Sequence, residues 1–224
     1  EAHHAQAFPS FGSERTGAPV VAFCRIADKE IRLREPIMNP DAVIIQDPTL
    51  LRQIDVFSGL KPNGFVLINT KSTFEELGLG EMARDWPADR LCTLPAIDIA
   101  LKHVGRPVPN VPLLAGFAAM SGLIQLETIR LAIETKFSGK VAQGNFAAAT
   151  EASPMPVLPL VGSMRTESFV SAPLASASSI IALAIRSLTL PPGLKDSSFA
   201  RIFAPSPFFV SKFVSSSSGV FPIS

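Results

Sequence analysis

Apolar positions along this chain fall into two kinds of stretch, short continuous runs and longer periodic segments. Residues 42–46 and 65–68 are short runs rich in β-branched side chains, bounded by Asn39-Pro40-Asp41, by Asp47-Pro48-Thr49 and by a turn-forming stretch from Gly59 to Gly64. Runs of this length and composition predict strands buried on both faces, as in a parallel sheet. Residues 20–26 and 90–94 read as further strands. After a turn at Asp28-Lys29, Glu30, Ile31, Arg32, Leu33 and Arg34 alternate polar and apolar, which predicts the second arm of a hairpin. A short helix is expected over residues 51–56, and one or two over 72–88, around the single Trp86.

The remaining segments carry helical signals. Residues 96–104 run into Gly105 and Pro107, which stop a helix. Asn110 reads as the cap of a helix whose body, residues 113–121, is apolar on every side and therefore buried, with Gly122 as its stop. Leu126, Ile129, Ile133 and Phe137 form one stripe, with Glu127, Arg130 and Glu134 off it at pairing distances. A last helix is expected over 145–152. Strands alternating with helices predict an α/β domain: a three-layer α/β/α fold on a mostly parallel sheet.

Near Ser153 the composition changes. Residues 153–224 are dominated by Ser, Pro, Phe, Ala and Leu, with an unbroken serine run from Ser215 to Ser218. The apolar patch at 180–185 is too short to span a bilayer, and neither helical period nor strand alternation is sustained. The expected organisation is a domain over residues 1–152 and a low-complexity, irregular tail over 153–224 that is foreign to it or disordered. The chain starts at Glu1 without an initiator Met, and reads as a domain incomplete at its N-terminus.

Charge narrows the function classes. A net charge of +1 with no basic cluster gives no electrostatic footprint for nucleic acid, and no membrane segment is read. Cys24 and Cys92 are the two cysteines, short of the four thiolates that an iron–sulfur cluster takes. They read as reduced thiols in a cytoplasmic protein. His3 and His4 are adjacent and read as part of a polar loop or edge strand, not as metal ligands. No phosphate-binding glycine loop, zinc motif or nucleophile elbow occurs, so no catalytic residue and no metal ligand is assigned.

Two places carry candidate chemistry. The first is the loop between Pro9 and Pro19, where Phe11, Gly12, Glu14, Arg15, Thr16 and Gly17 put an acid and a permanent cation between two glycines. The second is Asn69-Thr70-Lys71 at the carboxyl end of a parallel strand, where open α/β sheets hold ligands. Asn69 and Thr70 have a purely structural reading too, as caps of the next helix.

These residues carry a resemblance. Phe11-Gly12-Ser13-Glu14-Arg15-Thr16-Gly17-Ala18 resembles the aromatic-Gly-x-Glu-Arg-x-Gly-Ala loop of the gamma subunit of 2-oxoacid:ferredoxin oxidoreductases, the pyruvate:ferredoxin oxidoreductase family. Arg25 to Ile31, Asp47-Pro48-Thr49-Leu50-Leu51, Ile68-Asn69-Thr70-Lys71 and Asn110-Val111-Pro112-Leu113-Leu114 are similar to further family signatures, in the family's order over about residues 5–152. The family opens with a strand and a glycine-rich turn that this chain does not show.

The resemblance implies oxidative decarboxylation of a 2-oxoacid to an acyl-coenzyme A. Thiamine diphosphate, Mg²⁺ and iron–sulfur clusters would sit on partner subunits, alpha, beta and a ferredoxin-like delta, with no cofactor bound by this chain alone. Coenzyme A is the co-substrate. The loop residues, Asn69, Thr70, Lys71 and Asn110 are then expected at an interface or against coenzyme A. The alternative is a stand-alone α/β small-molecule binding module without catalytic partners.

Overall fold

The computed structural model describes residues 4–10, 20–27, 29–153 and the backbone of 209–216. Six strands form one sheet: β1 (His4–Ser10), β2 (Val20–Ala27), β3 (Ala42–Ile45), β4 (Phe65–Asn69), β5 (Leu91–Leu94) and β6 (Phe209–Ser216). Their spatial order is β1-β2-β6-β3-β4-β5. The two mid-chain apolar runs lie side by side, β3 parallel to β4, and β5 continues the parallel set. β1 is antiparallel to β2, β6 is parallel to β2, and β6 is antiparallel to β3.

Why β3 and β4 are continuously apolar is visible in their packing. Ala42, Ile44, Phe65 and Leu67 enter one core, and Val43, Ile45, Val66 and Ile68 enter the other, so neither face of these strands meets water. The first core lies under α2 (Ala96–Val104), α3 (Asn110–Ser121), α4 (Leu126–Lys136) and α5 (Gly139–Ala152). The second lies under a 3-10 turn, Pro48–Arg52, and the segment carrying Phe74, α1 (Gly80–Asp85) and Trp86. That is the expected α/β sandwich of three layers.

α3 buries eight consecutive residues, as its all-round apolarity requires. Gly116 lets it approach the sheet: a Cβ there would lie 2.8 Å from Leu94 Cδ2. Its Phe117 meets Phe65 edge-on, with ring centroids 6.2 Å apart. α4 buries Ile129 and Ile133, while Arg130 bonds Glu127 and Glu134 on its outer face.

Three expectations need correction. Residues 30–34 form no strand. Both edges of β2 are already taken, by β1 and β6, so the alternating segment has no ladder to join and Leu33 is left exposed. The hairpin partner of β2 is instead β1. The helix expected over 51–56 is the shorter 3-10 turn Pro48–Arg52, started by Asp47, whose Oδ1 accepts from the Thr49 backbone N at 2.8 Å. Asn110 is the first residue of α3, not its cap, which is Pro109. Of the tail, residues 209–216 pair in the sheet between β2 and β3, while 154–208 and 217–224 fall outside the described residues.

α2 and α5 are clasped at their C-terminal ends. Glu151 Oε2 accepts from Lys102 Nζ at 2.7 Å and lies 2.5 Å from His103 Nε2. These partners, Lys102 first, hold the Glu151 carboxyl below its usual value of 4.5. A depressed carboxyl contributes stability above the unfolded-state value and loses it as pH falls through the folded one. The expected result is that wild type unfolds at a higher temperature than Glu151→Gln at pH 7, and that the gap closes as pH drops below that value. Thermal unfolding of both chains across pH 7 to 3 checks it, and a pH-independent gap would show that the clasp does not titrate this way.

Candidate functional site

The site is built at one edge of the sheet. β3, β4 and β5 point their carboxyl ends the same way. β6 reverses direction relative to β3, so β2 runs opposite to β3 and its amino end reaches the same edge. Register makes this concrete: Val20 pairs with Phe209, and the next residue, Val210, pairs with Ile45. Ser10 and Val20, the two described residues that flank the 11–19 loop, therefore share an edge with Gln46, Asn69 and Leu94. Three strand spacings separate Val20 from Asn69, about 14 Å. The loop residues Phe11, Gly12, Glu14, Arg15, Thr16 and Gly17 themselves lie outside the described residues.

Asn69 organises the strand ends. It is buried, and its side chain is used on both sides. Asn69 Nδ2 donates to the Gln46 carbonyl at 2.8 Å, tying β4 to the end of β3. Asn69 Oδ1 accepts from the Ile97 backbone N at 3.2 Å, satisfying one of the orphan donors of the first turn of α2. So Asn69 does cap a helix, but α2, 28 residues further on, and not the next segment. The next segment has its own reciprocal cap: Thr73 N donates to Glu76 Oε2 and Glu76 N to Thr73 Oγ1.

Thr70 closes the other side. Its backbone N donates to the Leu94 carbonyl at 3.0 Å, and its Oγ1 accepts from Ser72 N at 3.1 Å. Lys71 is different, because its amine stands in solvent and pairs with Asp98 Oδ1 at 2.9 Å. An exposed pair of this kind contributes little to stability, about 0–1 kcal/mol, and is easily exchanged for another anion. Asp98 was missed by sequence reasoning. Its signal was an acid in the first turn of a helix, where the dipole favours negative charge. Gln46 was missed too, because a backbone carbonyl acceptor leaves no trace in residue type.

The structure thus brings Asn69, Thr70 and Lys71 together with the anchors of the loop. Asn110 is the first residue of α3. Both thiols are buried, and burial pushes Cys24 up to about 12 and Cys92 to about 11. Two cysteines, one on β2 and one on β5, fall short of the four thiolates that hold an iron–sulfur cluster. Among the described residues no group of three or more His, Cys, Asp or Glu is placed to hold a metal ion, and no helix is long and apolar enough to cross a membrane.

Residues 1–154 match the family model described as pyruvate ferredoxin/flavodoxin oxidoreductase. Among similar proteins, a pyruvate/ketoisovalerate oxidoreductases common subunit gamma from Thermococcus litoralis is 43% identical over 152 residues, 68% of this chain and 80% of the relative. A pyruvate synthase subunit PorC from Methanothermobacter marburgensis is 43% identical over 146 residues, 65% of this chain and 77% of the relative. Among solved structures, the pyruvate oxidoreductase subunit PORC of Thermotoga maritima superposes with a TM-score of 0.53 at 32% identity, over 67% of this chain and 79% of that one.

Proposed function

This chain belongs to the pyruvate ferredoxin/flavodoxin oxidoreductase family, and from that premise we propose that it works as the gamma-type subunit of a multi-subunit 2-oxoacid:ferredoxin oxidoreductase of the pyruvate type. The observation that carries the reading is the extent of the match: residues 1–154 include every described element except β6. Other subunits of the assembly are its partners, thiamine-binding alpha and beta chains and a ferredoxin-like delta chain, in the cytoplasm. Thiamine diphosphate and the clusters, held there, supply the decarboxylation and the path for electrons.

The work of this chain is at the carboxyl edge of its sheet. Asn69 holds the ends of β3 and β4 and the start of α2 in one arrangement. Thr70 fixes the chain that follows, so that Lys71 leaves the fold at a defined point. Lys71 and Arg15 are then the candidate cations for the anionic groups of coenzyme A. An elongated ligand suits an edge whose two charged elements are anchored about 14 Å apart. Phosphate contacts of this type are charge-assisted and hold the co-substrate while the acyl group is transferred on the partner subunits.

The test is reconstitution of the full-length chain with thiamine-binding subunits and a delta subunit. Co-purification and 2-oxoacid-dependent reduction of ferredoxin are expected. A soluble chain that ignores those subunits would refute the assembly. In the reconstituted enzyme, Glu14→Ala combined with Arg15→Ala is expected to lower kcat/KM for coenzyme A about tenfold or more, since a charge-assisted bond is worth roughly 1.5–3 kcal/mol. The complex should still assemble. Unchanged kinetics would remove the loop from the coenzyme A site while leaving the subunit assignment standing.

A further inference from the structure

An asparagine amide is an electrophile for the backbone nitrogen of the residue that follows it. Attack closes a five-membered imide, and a side chain on the following residue obstructs it. Five asparagines occur in this chain: Asn39, Asn63, Asn69, Asn110 and Asn145. Pro40 has no N–H to attack with, and Thr70, Val111 and Phe146 each carry a bulky side chain. Asn63 alone precedes a glycine, and its side chain is exposed, whereas Asn69 and Asn145 are buried.

The turn around Asn63 counters this reactivity. Pro62 fixes the first central residue, Asn63 stands at φ +62°, and Gly64 N donates to the Lys61 carbonyl at 3.0 Å, which makes residues 61–64 a type II turn. Ring closure needs the Gly64 nitrogen to give up its proton and face Asn63 Cγ, and that proton is held across the turn. Gly64 is itself buried. Its carbonyl accepts from Trp86 Nε1 at 2.7 Å, and the next amide, Phe65 N, bonds the Asp41 carbonyl at 2.9 Å. From this geometry we propose that Asn63 is the deamidation site of the chain and that the 61–64 turn holds it closed, which preserves the register of β4. In the reaction the Gly64 N–Asn63 Cγ bond forms as the Cγ–Nδ2 bond breaks, the Gly64 amide proton leaves with the amine as ammonia, and water opens the imide. Opening at Cγ gives aspartate. Opening at the main-chain carbonyl carbon gives isoaspartate, which adds one atom to the backbone just before β4 and spoils the alignment of Phe65 with Ala42. The inference does not depend on the enzymatic reading.

The full-length chain is aged at mildly alkaline pH, folded or unfolded in guanidinium chloride, and then digested. Mass spectrometry reads the one-dalton gain at residue 63, and fragmentation separates isoaspartate from aspartate. In the unfolded chain Asn63 is expected to react ahead of every other asparagine. In the folded chain its rate should be about tenfold lower or more, because the turn must first open. Trp86→Phe removes the donor to the Gly64 carbonyl and should raise the folded rate roughly twofold to tenfold. Asn63→Gly keeps the left-handed turn without the amide. Aged unfolded and then refolded, it should keep its denaturation midpoint, while wild type returns with a midpoint lowered in proportion to its isoaspartate. Should Trp86→Phe fail to fold, the two wild-type rates decide. Equal rates in the folded and unfolded chain, faster reaction at another asparagine, or a wild-type midpoint that ageing leaves unchanged overturns the proposal.

Discussion

An Asn69→Leu chain is expected to lose about 2–5 kcal/mol of unfolding free energy while keeping the same number and branching of side-chain heavy atoms. The reason is what the amide leaves behind. Its removal orphans two main-chain groups, the Gln46 carbonyl and the Ile97 N–H, at a position where Asn69 itself is only 5% exposed. Each group stranded without a partner or water costs roughly 1–3 kcal/mol. Asn69→Asp keeps an acceptor for Ile97 but loses the donor to Gln46, and should fall between. Lys71→Ala removes an exposed ion pair and should stay within about 0.5 kcal/mol of wild type. Urea unfolding of the four chains, at constant slope, separates the three behaviours. A Leu variant within 1 kcal/mol of wild type would mean that the strand ends are held by packing and not by this amide.

That result would also bear on what a sequence can disclose. Asn69 was legible as a polar residue at a strand end, because β4 is a buried run that ends abruptly in Asn-Thr-Lys. Its partners were not, since both are backbone groups, 23 and 28 residues away in sequence. The same asymmetry runs through the fold. Strands β3, β4 and β5 and helices α2 to α4 follow from local pattern, because each buries a stripe or a run that its own residues define. Where the outcome depended on a distant edge, pattern alone misled. Residues 30–34 alternate as a strand would, but β2 had no edge left to offer them. Residues 209–216, in a serine-rich stretch, pair with β2 and β3, whose edges lie far off in sequence. The shared edge of the 11–19 loop and Asn69-Thr70-Lys71 depends on the reversal at β6, which no local feature of either segment records.

Gly59→Ala is expected to be the most damaging single methyl in the described chain, with a loss of about 3 kcal/mol or more. Two effects add. Gly59 has φ +74°, in the left-handed region, where an L side chain costs roughly 1–2 kcal/mol. Beyond that, a Cβ built there lies 1.8 Å from the Met38 carbonyl oxygen, a backbone atom that cannot rotate away. Gly78 supplies the control, because its φ is +78° and a Cβ there meets nothing within 4 Å. Gly78→Ala should therefore show the conformational part alone, about 1 kcal/mol. The contact at Gly59 matters because of what the turn does. Lys61 N bonds the Pro40 carbonyl at 3.0 Å, Phe65 N bonds the Asp41 carbonyl at 2.9 Å, and Lys61 Nζ reaches Asp41 Oδ1 at 2.7 Å. Together these bonds set Ala42 opposite Phe65 and so fix the register of β4 against β3. Asn69 lies at the far end of that same strand, and any slip there carries it away from Gln46. Urea unfolding of the two alanine chains measures the difference, and amide exchange at Lys61 and Phe65 locates it. Equal losses at Gly59 and Gly78 would show that the approach to Met38 relaxes freely and that the register is set elsewhere.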